Sequence, residues 1–384
     1  MNVLILGIDG YIGFPLALRF LSNGYNVYGA DNFYTRKRVK AVGSDTAIPI
    51  NTMDVRVKKV NEKTGKTITF FKGNVSNPKF MYDIIKKSSP DVIVHLAEQR
   101  SAPYSMIGLR EAVETLDNNI NSTMNLIYAV KDLKRDAHII KLGTMGEYGT
   151  PNIDIPEGFF DVEYHGRHDY LPFPRSGQSW YHLSKVHDTN NLMLANKIWN
   201  LTITDVMQGV VYGTRTEELN EYKMTTRFDI DEIYGTVLNR FVSQAVLGMP
   251  LTVYGAGNQK RGFLSLEDSI TCLSLIAEHP ENGSYNVINQ FDEYYSLNYL
   301  AEKVKEKYEE LYDKTVEISH INNPRVELDE HYYNPEHKKL SSLGFKSKIK
   351  LDDEIYNIIK DLNDNRLRLI KLKDSIMPKT FWKS

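Results

Sequence analysis

The apolar run Asn2–Leu6, "NVLIL", leads without a break into "GIDGYIG", residues Gly7 to Gly13. Three glycines at spacing three and three, set between a strand-like run and a helical one, constrain the fold more than any other stretch. The first allows a tight turn, the second lets backbone N–H groups approach a pyrophosphate, and the third lets helix pack on strand. The helical "FPLALRFLSNG" that follows ends at Gly24 and offers the partial positive charge of its N-terminus to an anion in the turn. The next strand-like run, "NVYGADN", ends at Asp31, eighteen residues past Gly13. An acid at that place accepts from the ribose hydroxyls of an adenosine and repels a 2′-phosphate, which favours NAD over NADP. The alternative is a glycine-rich turn without a ligand.

"TITFFKGNV", "PDVIVHLAEQR", "AHIIKLGTMGEYG" and "LTITDVMQGVVYG" read as further strands, with helical stretches before the last three. This alternation predicts an α/β fold, a Rossmann-type doubly wound parallel sheet. Residues 35–66 break the rhythm and read as an inserted loop with a little structure of its own. After about Gly213 the pattern becomes irregular, as in a smaller α+β lobe at the C-terminal end. The expected division is a cofactor domain over residues 1–212 with a return segment near 260–290. A second domain is expected over 213–259 and 291–384. The basic stretch "RLRLIKLKDSIMPKTFWKS" reads as a solvated terminal helix and tail.

Composition matters mainly for what it excludes. A net charge of −2 over 384 residues gives no electrostatic argument for a nucleic-acid partner or an anionic membrane. Any bound anion must then be met by local arginines and backbone donors. The single cysteine, Cys272, excludes an intrachain disulfide framework and suits a reducing compartment. No apolar stretch reaches the roughly 18–20 residues needed to span a bilayer. No basic region and apolar core of a leader precede the first strand, so a cytoplasmic location is expected.

Chemistry enters with "SWYHLSK", in which Tyr181 and Lys185 lie four apart and so share a helix face. A tyrosine with its ordinary pKa of about 10 is a poor base at neutral pH. A unit positive charge ~4 Å away is worth about 4 kcal/mol at an effective dielectric of ~20, or about 3 pK units. Lys185 and the nicotinamide charge together can therefore outweigh partial burial, which acts in the opposite direction. The pair then becomes a general base for a sugar hydroxyl during hydride transfer. A bare Y-x-x-x-K is common by chance; downstream of a dinucleotide fold it is far more pointed.

Taken together, "GIDGYIG", "HLAEQRSAPYS", "NNINSTMNLIYA", "LGTMGEYG", "YHLSK" and "LTVYGAGNQKRGFLSLED" resemble the extended short-chain dehydrogenase/reductases, the NAD-dependent nucleotide-sugar epimerase/dehydratase family. The longer strings "EQRSAPYSMI", "KLGTMGEYGTPNIDIPEG", "YHLSKVHD" and "NPRVELDEHYYN" resemble the branch of that family that makes a sulfonated sugar. The resemblance implies conversion of UDP-glucose and sulfite to UDP-6-sulfo-quinovose, with a tightly bound NAD that is regenerated, in sulfolipid or glycan biosynthesis. It implies 4-keto and 4-keto-5-ene intermediates, a homodimer through the helices of the Asn118 and Tyr181 regions, no metal, and the formal class of a hydrolase.

The same resemblance assigns residues. Thr144, Glu147, Tyr181 and Lys185 are the expected catalytic set. The expected NAD site comprises Gly7, Gly10, Tyr11, Ile12, Gly13, Asp31, Asn32, Phe33, Tyr34, Asn74, Val75, Asn118 and Asn119, together with Tyr181 and Lys185. Arg100, Thr144, Gln208, Gln259, Arg261 and Arg325 are expected to hold the UDP-sugar, in the second domain and the cleft beside it. Arginines suit a diphosphate because they supply charge-assisted, bidentate donors. One departure stands out. Dehydratases of the family carry an adjacent Asp-Glu pair directly after the strand-end threonine, where this chain has Met145 and Gly146. Glu147 is the one nearby acid, and it is expected to assist elimination, alone or with Tyr181 or His182, unless it merely caps local backbone. The alternatives are a UDP-sugar 4-epimerase, a 4,6-dehydratase, or a non-catalytic NAD(H)-sensing protein.

Overall fold

The structure is a computed structural model that describes residues 1–326, 328 and 330–382. Seven parallel strands form its centre: β1 (Asn2–Leu6), β2 (Asn26–Asp31), β3 (Ile68–Lys72), β4 (Val92–His95), β5 (His138–Leu142), β6 (Ile203–Gln208) and β7 (Tyr285–Gln290). Their order is β7-β6-β5-β4-β1-β2-β3, and β1 pairs with β2 from Asn2↔Asn26 to Leu6↔Ala30. The strands are apolar at successive positions because both faces are covered. Val3 and Ile5 face one side, packed with the helix α1 (Gly13–Ser22); Leu4 and Leu6 face the other, packed with α2 (Leu109–Asp132) and α3 (Trp180–Trp199).

The reversal of strand order beside β1 opens a crevice at the C-terminal edge of the sheet, where ligands of such folds sit. The glycine turn forms its floor. Gly7 adopts φ +91°, and a Cβ there would lie 2.8 Å from the Leu96 carbonyl carbon and 2.9 Å from the Ala97 nitrogen. Gly13 opens α1 so close to the turn that a Cβ would lie 2.3 Å from the Gly7 oxygen.

Four local expectations are corrected. Residues 35–66 are no loop: most of the segment folds into the helices Tyr34–Ala41 and Met53–Thr64. Val39, Met53 and Val60 are buried at helical spacing, and Arg36 and Arg56 both reach Asp9 in the glycine turn. The run "LTITDVMQGVVYG" is two strands. At Gly209 the backbone passes so near Gly262 that a Cβ would lie 2.6 Å from its oxygen, and Val210–Tyr212 leaves the central sheet to pair with Lys260–Ser265. An exposed antiparallel hairpin, Phe159–Tyr164 with Arg167–Pro172, was not expected; its Phe159 packs on Tyr285 of the edge strand β7. Finally, the basic C-terminal stretch is docked rather than solvated as far as it is described. Leu369 and Ile376 are fully buried in the second core, and the Trp382 N–H donates to the Pro324 oxygen at 2.9 Å.

That second core lies under the helices Val237–Leu247, Leu297–Tyr312 and Leu351–Asp364 and a short parallel strand pair, Leu251–Tyr254 with Ile318–Ile321. Between these pieces the helix Leu266–Glu278 and β7 return to the central sheet. Among the described residues no helix is long and apolar enough to cross a membrane.

The close approach at Gly13 yields a direct test. Gly13→Ala forces its methyl group into the Gly7 carbonyl, and overpacking of this kind costs about 1–3 kcal/mol. Thermal unfolding should show a lower Tm, together with faster loss of bound dinucleotide; an unchanged Tm would mean the turn relaxes without cost.

Candidate active site

The crevice divides into two cavities that share Arg100, Tyr181 and Gln208. The first is lined by the glycine turn (Gly7, Gly10, Tyr11, Ile12, Gly13), by Asp31, Asn32 and Tyr34 after β2, and by Val75, Asn118 and Lys185. Of the residues expected at the cofactor, Phe33, Asn74 and Asn119 stand behind this wall. Phe33 takes the turn after β2 with φ 60°, and its N–H donates to Asp31. Asn74 accepts from Asn32 and from the Ser76 N–H. Asn119 is fully buried and braces the Gln99 backbone and Ser184. Sequence reasoning missed Asp9, Arg38 and Arg227, which also face the cavity.

Asp31 accepts from the backbone N–H of Asp9 at 2.9 Å and of Phe33 at 2.7 Å. Burial, and then the neighbouring Asp9 carboxylate, push its carboxyl up to about 6. Its ionised form is therefore costly in the empty protein, and hydroxyl donors from a ribose offset that cost. Arg36 holds Asp9 through two 2.6 Å bonds, while Arg56 stands 3.2 Å away on the other side. The crevice thus presents an acid at the end of β2 beside a glycine turn.

All six residues expected at the UDP-sugar line the second cavity: Arg100, Thr144, Gln208, Gln259, Arg261 and Arg325. Arg240, Tyr254 and Trp382 join them without having been expected, as does His182, which was expected only as a helper of Glu147. Gln259 donates to the Tyr254 oxygen, while its own side-chain oxygen is buried without a donor. A buried acceptor left open inside a cavity suits a ligand donor such as an imide or hydroxyl. Arg100 is anchored by Asp229 at 2.6 Å and by the Tyr234 oxygen at 3.0 Å.

Where the cavities meet stand Thr144, at the end of β5, and Tyr181 and Lys185, on one face of α3. Ser179 caps α3 by accepting from the His182 N–H. Burial pushes the Tyr181 phenol up to about 12; Glu147 adds to the rise, and Lys141, Arg100 and the Thr144 hydroxyl oppose it. The strong pull expected from Lys185 is absent from this balance. The Lys185 ammonium is turned to the Leu142 oxygen at 2.5 Å and forms an ion pair with Glu98, and burial pushes it down to about 8. Held by Glu98 and the Leu142 oxygen, the Lys185 ammonium still stands 5.9 Å from the centre of the Tyr181 ring.

Glu147 is not brought to the sugar cavity. Its side chain is fully buried in the short turn Met145–Tyr148, where it accepts from the Thr144 N–H at 3.2 Å and from Lys141 at 3.0 Å. Thr189 also donates to it at 2.9 Å. The capping reading is the one this geometry matches. The group that faces the sugar cavity is His182, whose Nδ1 lies 3.0 Å from Ser179 Oγ. A Cβ at residue 146 would lie 2.5 Å from His182 Nε2. Glycine at 146 thus makes room for an imidazole where dehydratases of the family carry a carboxylate.

Residues 3–289 match the family model "NAD dependent epimerase/dehydratase family", and the chain belongs to that family. Within it, the chain is similar to curated proteins named UDP-sulfoquinovose synthase. It is 50% identical to the one from Sulfolobus acidocaldarius, over 100% of this chain and 98% of that one. It is 43% identical to the one from Spinacia oleracea, named as chloroplastic, over 100% of this chain and 79% of the relative. Among solved structures, the fold is shared with UDP-glucose 4-epimerases. The Thermotoga maritima protein with UDP-glucose aligns at TM-score 0.72 and 19% identity, covering 95% of this chain and 100% of that one. The Bifidobacterium longum protein with NAD+ and UDP gives 0.72 and 20%, covering 95% and 99%. NAD is the cofactor of the family, and the crevice fits it.

The hydrolase class is overturned by the same findings. The family is one of epimerases and dehydratases and the relatives are synthases, so the chemistry is of the lyase or dehydratase type.

Two outcomes are expected. The cofactor released from purified protein should be NAD(H) rather than its 2′-phosphorylated form. Its affinity should drop on the order of tenfold as pH falls through about 6, because protonation of Asp31 removes a charge-assisted acceptor worth roughly 1.5–3 kcal/mol. Calorimetric titration at pH 5 and pH 7 measures this; an equal affinity at both would remove Asp31 from the ribose. For the base, Tyr181→Phe should cut reduction of bound NAD by substrate about 10²–10⁴-fold while UDP binding persists.

Proposed function

We propose that the chain is a UDP-sulfoquinovose synthase, joining sulfite to carbon 6 of UDP-glucose with loss of water. The observation that carries this reading is the full-length 50% identity to the Sulfolobus acidocaldarius enzyme, which spans both cavities. The carbon-6 hydroxyl is a poor leaving group, and direct displacement by sulfite is slow. Oxidation at carbon 4 makes the carbon-5 proton acidic, so that water leaves from carbon 6. Sulfite then adds to the resulting enone, and carbon 4 is reduced again.

NAD supplies the acceptor for the carbon-4 hydride and later returns it. Gly7, Gly10, Gly13, Asp31, Asn32, Tyr34 and Asn118 hold it, and Lys185 orients it. Thr144 and Tyr181 hold the 4-hydroxyl, and Tyr181 takes its proton. His182, aligned by Ser179, protonates the departing carbon-6 oxygen. Glu147 is a positioning residue that fixes the turn carrying Thr144. Arg100, Gln208, Gln259, Arg261 and Arg325 hold the UDP portion, and the near-neutral net charge makes these local cations the diphosphate's counter-charge.

Residues 1–212 with 260–290 form the NAD domain, and 213–259 with 291–384 the UDP-sugar domain. A homodimer is supported by apolar side chains exposed on the paired helices α2 and α3, among them Leu109 (82% exposed) and Leu194 (57%). The cytoplasm is the inferred location, since the lone Cys272 is buried and forms no disulfide.

Incubation with UDP-glucose and sulfite should yield a nucleotide sugar heavier by the exchange of a hydroxyl for a sulfonate. UDP-galactose formed in indifference to sulfite would favour the epimerase instead. His182→Gln should still form NADH and a 4-keto sugar but retain the carbon-6 oxygen; sulfonated product at the normal rate would exclude His182 as the acid.

A further inference from the structure

Behind Tyr181 lies a buried charged cluster of which only Glu98 and Lys185 reach the wall of the first cavity. Lys141 on β5 contacts Glu147 at 3.0 Å and Asp205 of β6 at 3.2 Å, and Arg175 stands 3.6 Å from Glu147. Lys185 of α3 pairs with Glu98, from the loop after β4, and faces Asp188 one turn along its own helix. All seven side chains are at most 5% exposed. The other titratable groups packed around them do not carry charge. His95 of β4, 3.5 Å from Glu98, is held neutral by burial and by Lys185 and Lys141. Tyr285 of β7 donates to Asp205. The face of α2 that covers the cluster contributes only Thr123, Ser122 and Asn119, which are uncharged.

Four carboxylates (Glu98, Glu147, Asp188, Asp205) thus stand against three cations (Lys141, Arg175, Lys185), leaving one negative charge in excess. Apart from the ion pair with Lys185, neither Glu98 oxygen has a donor, and no well-formed hydrogen bond reaches either oxygen of Asp188. An unbalanced buried carboxylate is costly, and either a positive ligand or a proton relieves it.

We infer that this cluster takes up the proton that leaves the sugar's 4-hydroxyl and holds it, on Asp188 or Glu98 beside Lys185, until the hydride returns. The inference rests on the proposed oxidation at carbon 4. In that step the C4–H bond breaks and its electron pair goes to the nicotinamide, so carbon 4 is oxidised and the nicotinamide reduced. The O4–H bond breaks and its proton goes to the Tyr181 oxygen, while the proton Tyr181 carried passes to Lys185 as Lys185 gives one of its own to Glu98 or Asp188. The positive charge of the nicotinamide disappears as the cluster gains a proton, so the buried charge is unchanged. Two groups of the cluster already titrate near neutrality: burial raises Asp188 to about 7 and lowers Lys185 to about 8. An enzyme that must reduce carbon 4 again gains by keeping that proton out of the solvent.

The test mixes NAD-loaded protein with UDP-glucose, without sulfite, in weakly buffered solution carrying a pH-indicator dye, and records NADH and dye together. The wild type should form NADH without releasing a proton. Asp188→Asn, with its surplus charge removed, should release one proton per NADH, and Glu98→Gln should do the same if the first variant does not fold. The bound NADH fraction adds a spectroscopic check: constant with pH in the wild type, but changing about tenfold per pH unit in the variants. One proton released per NADH by the wild type, or a pH-dependent NADH fraction in it, would overturn the inference, as would variants that release none. Absence of any NADH would overturn the proposed function itself, a distinguishable failure.

Discussion

Lys141 is a lysine in the middle of the central sheet with no exposed surface, and the active-site end of the molecule is organised around it. Stripping an ammonium of water costs several kcal/mol unless partners replace the water. Here four partners on three elements replace it: Glu147 in the turn after β5, Asp205 on β6, and both the Thr189 hydroxyl and the Lys185 backbone oxygen on α3. Each partner is thereby fixed relative to β5, and with them Thr144, Tyr181 and Lys185. The space is so tight that a Cβ on Gly143 would lie 2.7 Å from Glu147 and 3.1 Å from Lys141. Glu147, once the only acid expected near the chemistry, belongs to this support.

The two lobes meet on that support. The break at Gly209 carries the chain out of the central sheet just after Gln208, so one residue lines both the cofactor and the substrate cavity. Arg100 does the same from the loop after β4, held by Asp229 and the Tyr234 backbone of the second lobe. Tyr11 bonds from the glycine turn to the Gly213 oxygen at 2.6 Å. The second cavity therefore lies between fixed walls, and the docked C-terminal segment brings Trp382 to one of them.

Much of this was legible in the sequence because it depends on local spacing. The glycine turn, Asp31 at the end of β2, the strand rhythm and the Tyr181–Lys185 pair all lie within a few residues of the element that positions them. Arg100, Gln208, Gln259, Arg261 and Arg325 came from resemblance, and all five line the second cavity. What stayed hidden depends on contacts across the chain. The pairing of Lys185 with Glu98 joins residues far apart in sequence. The helices in residues 35–66 went unrecognised because arginines at buried positions masked their apolar face; Arg56 is buried for the sake of Asp9 in a different segment. The burial of Glu147 was equally invisible, since a carboxylate one turn from Thr144 reads the same whether it faces the sugar or Lys141.

The account turns on carbon 5 becoming acidic once carbon 4 is oxidised, which separates this chemistry from simple epimerisation. UDP-glucose incubated with the NAD-loaded protein in deuterium oxide, without sulfite, and then recovered, tests this directly by its isotope pattern. The account predicts deuterium at carbon 5 and none at carbon 4, since the hydride returns from the bound cofactor. Recovered nucleotide sugar with no deuterium at carbon 5, accompanied by UDP-galactose, would contradict it.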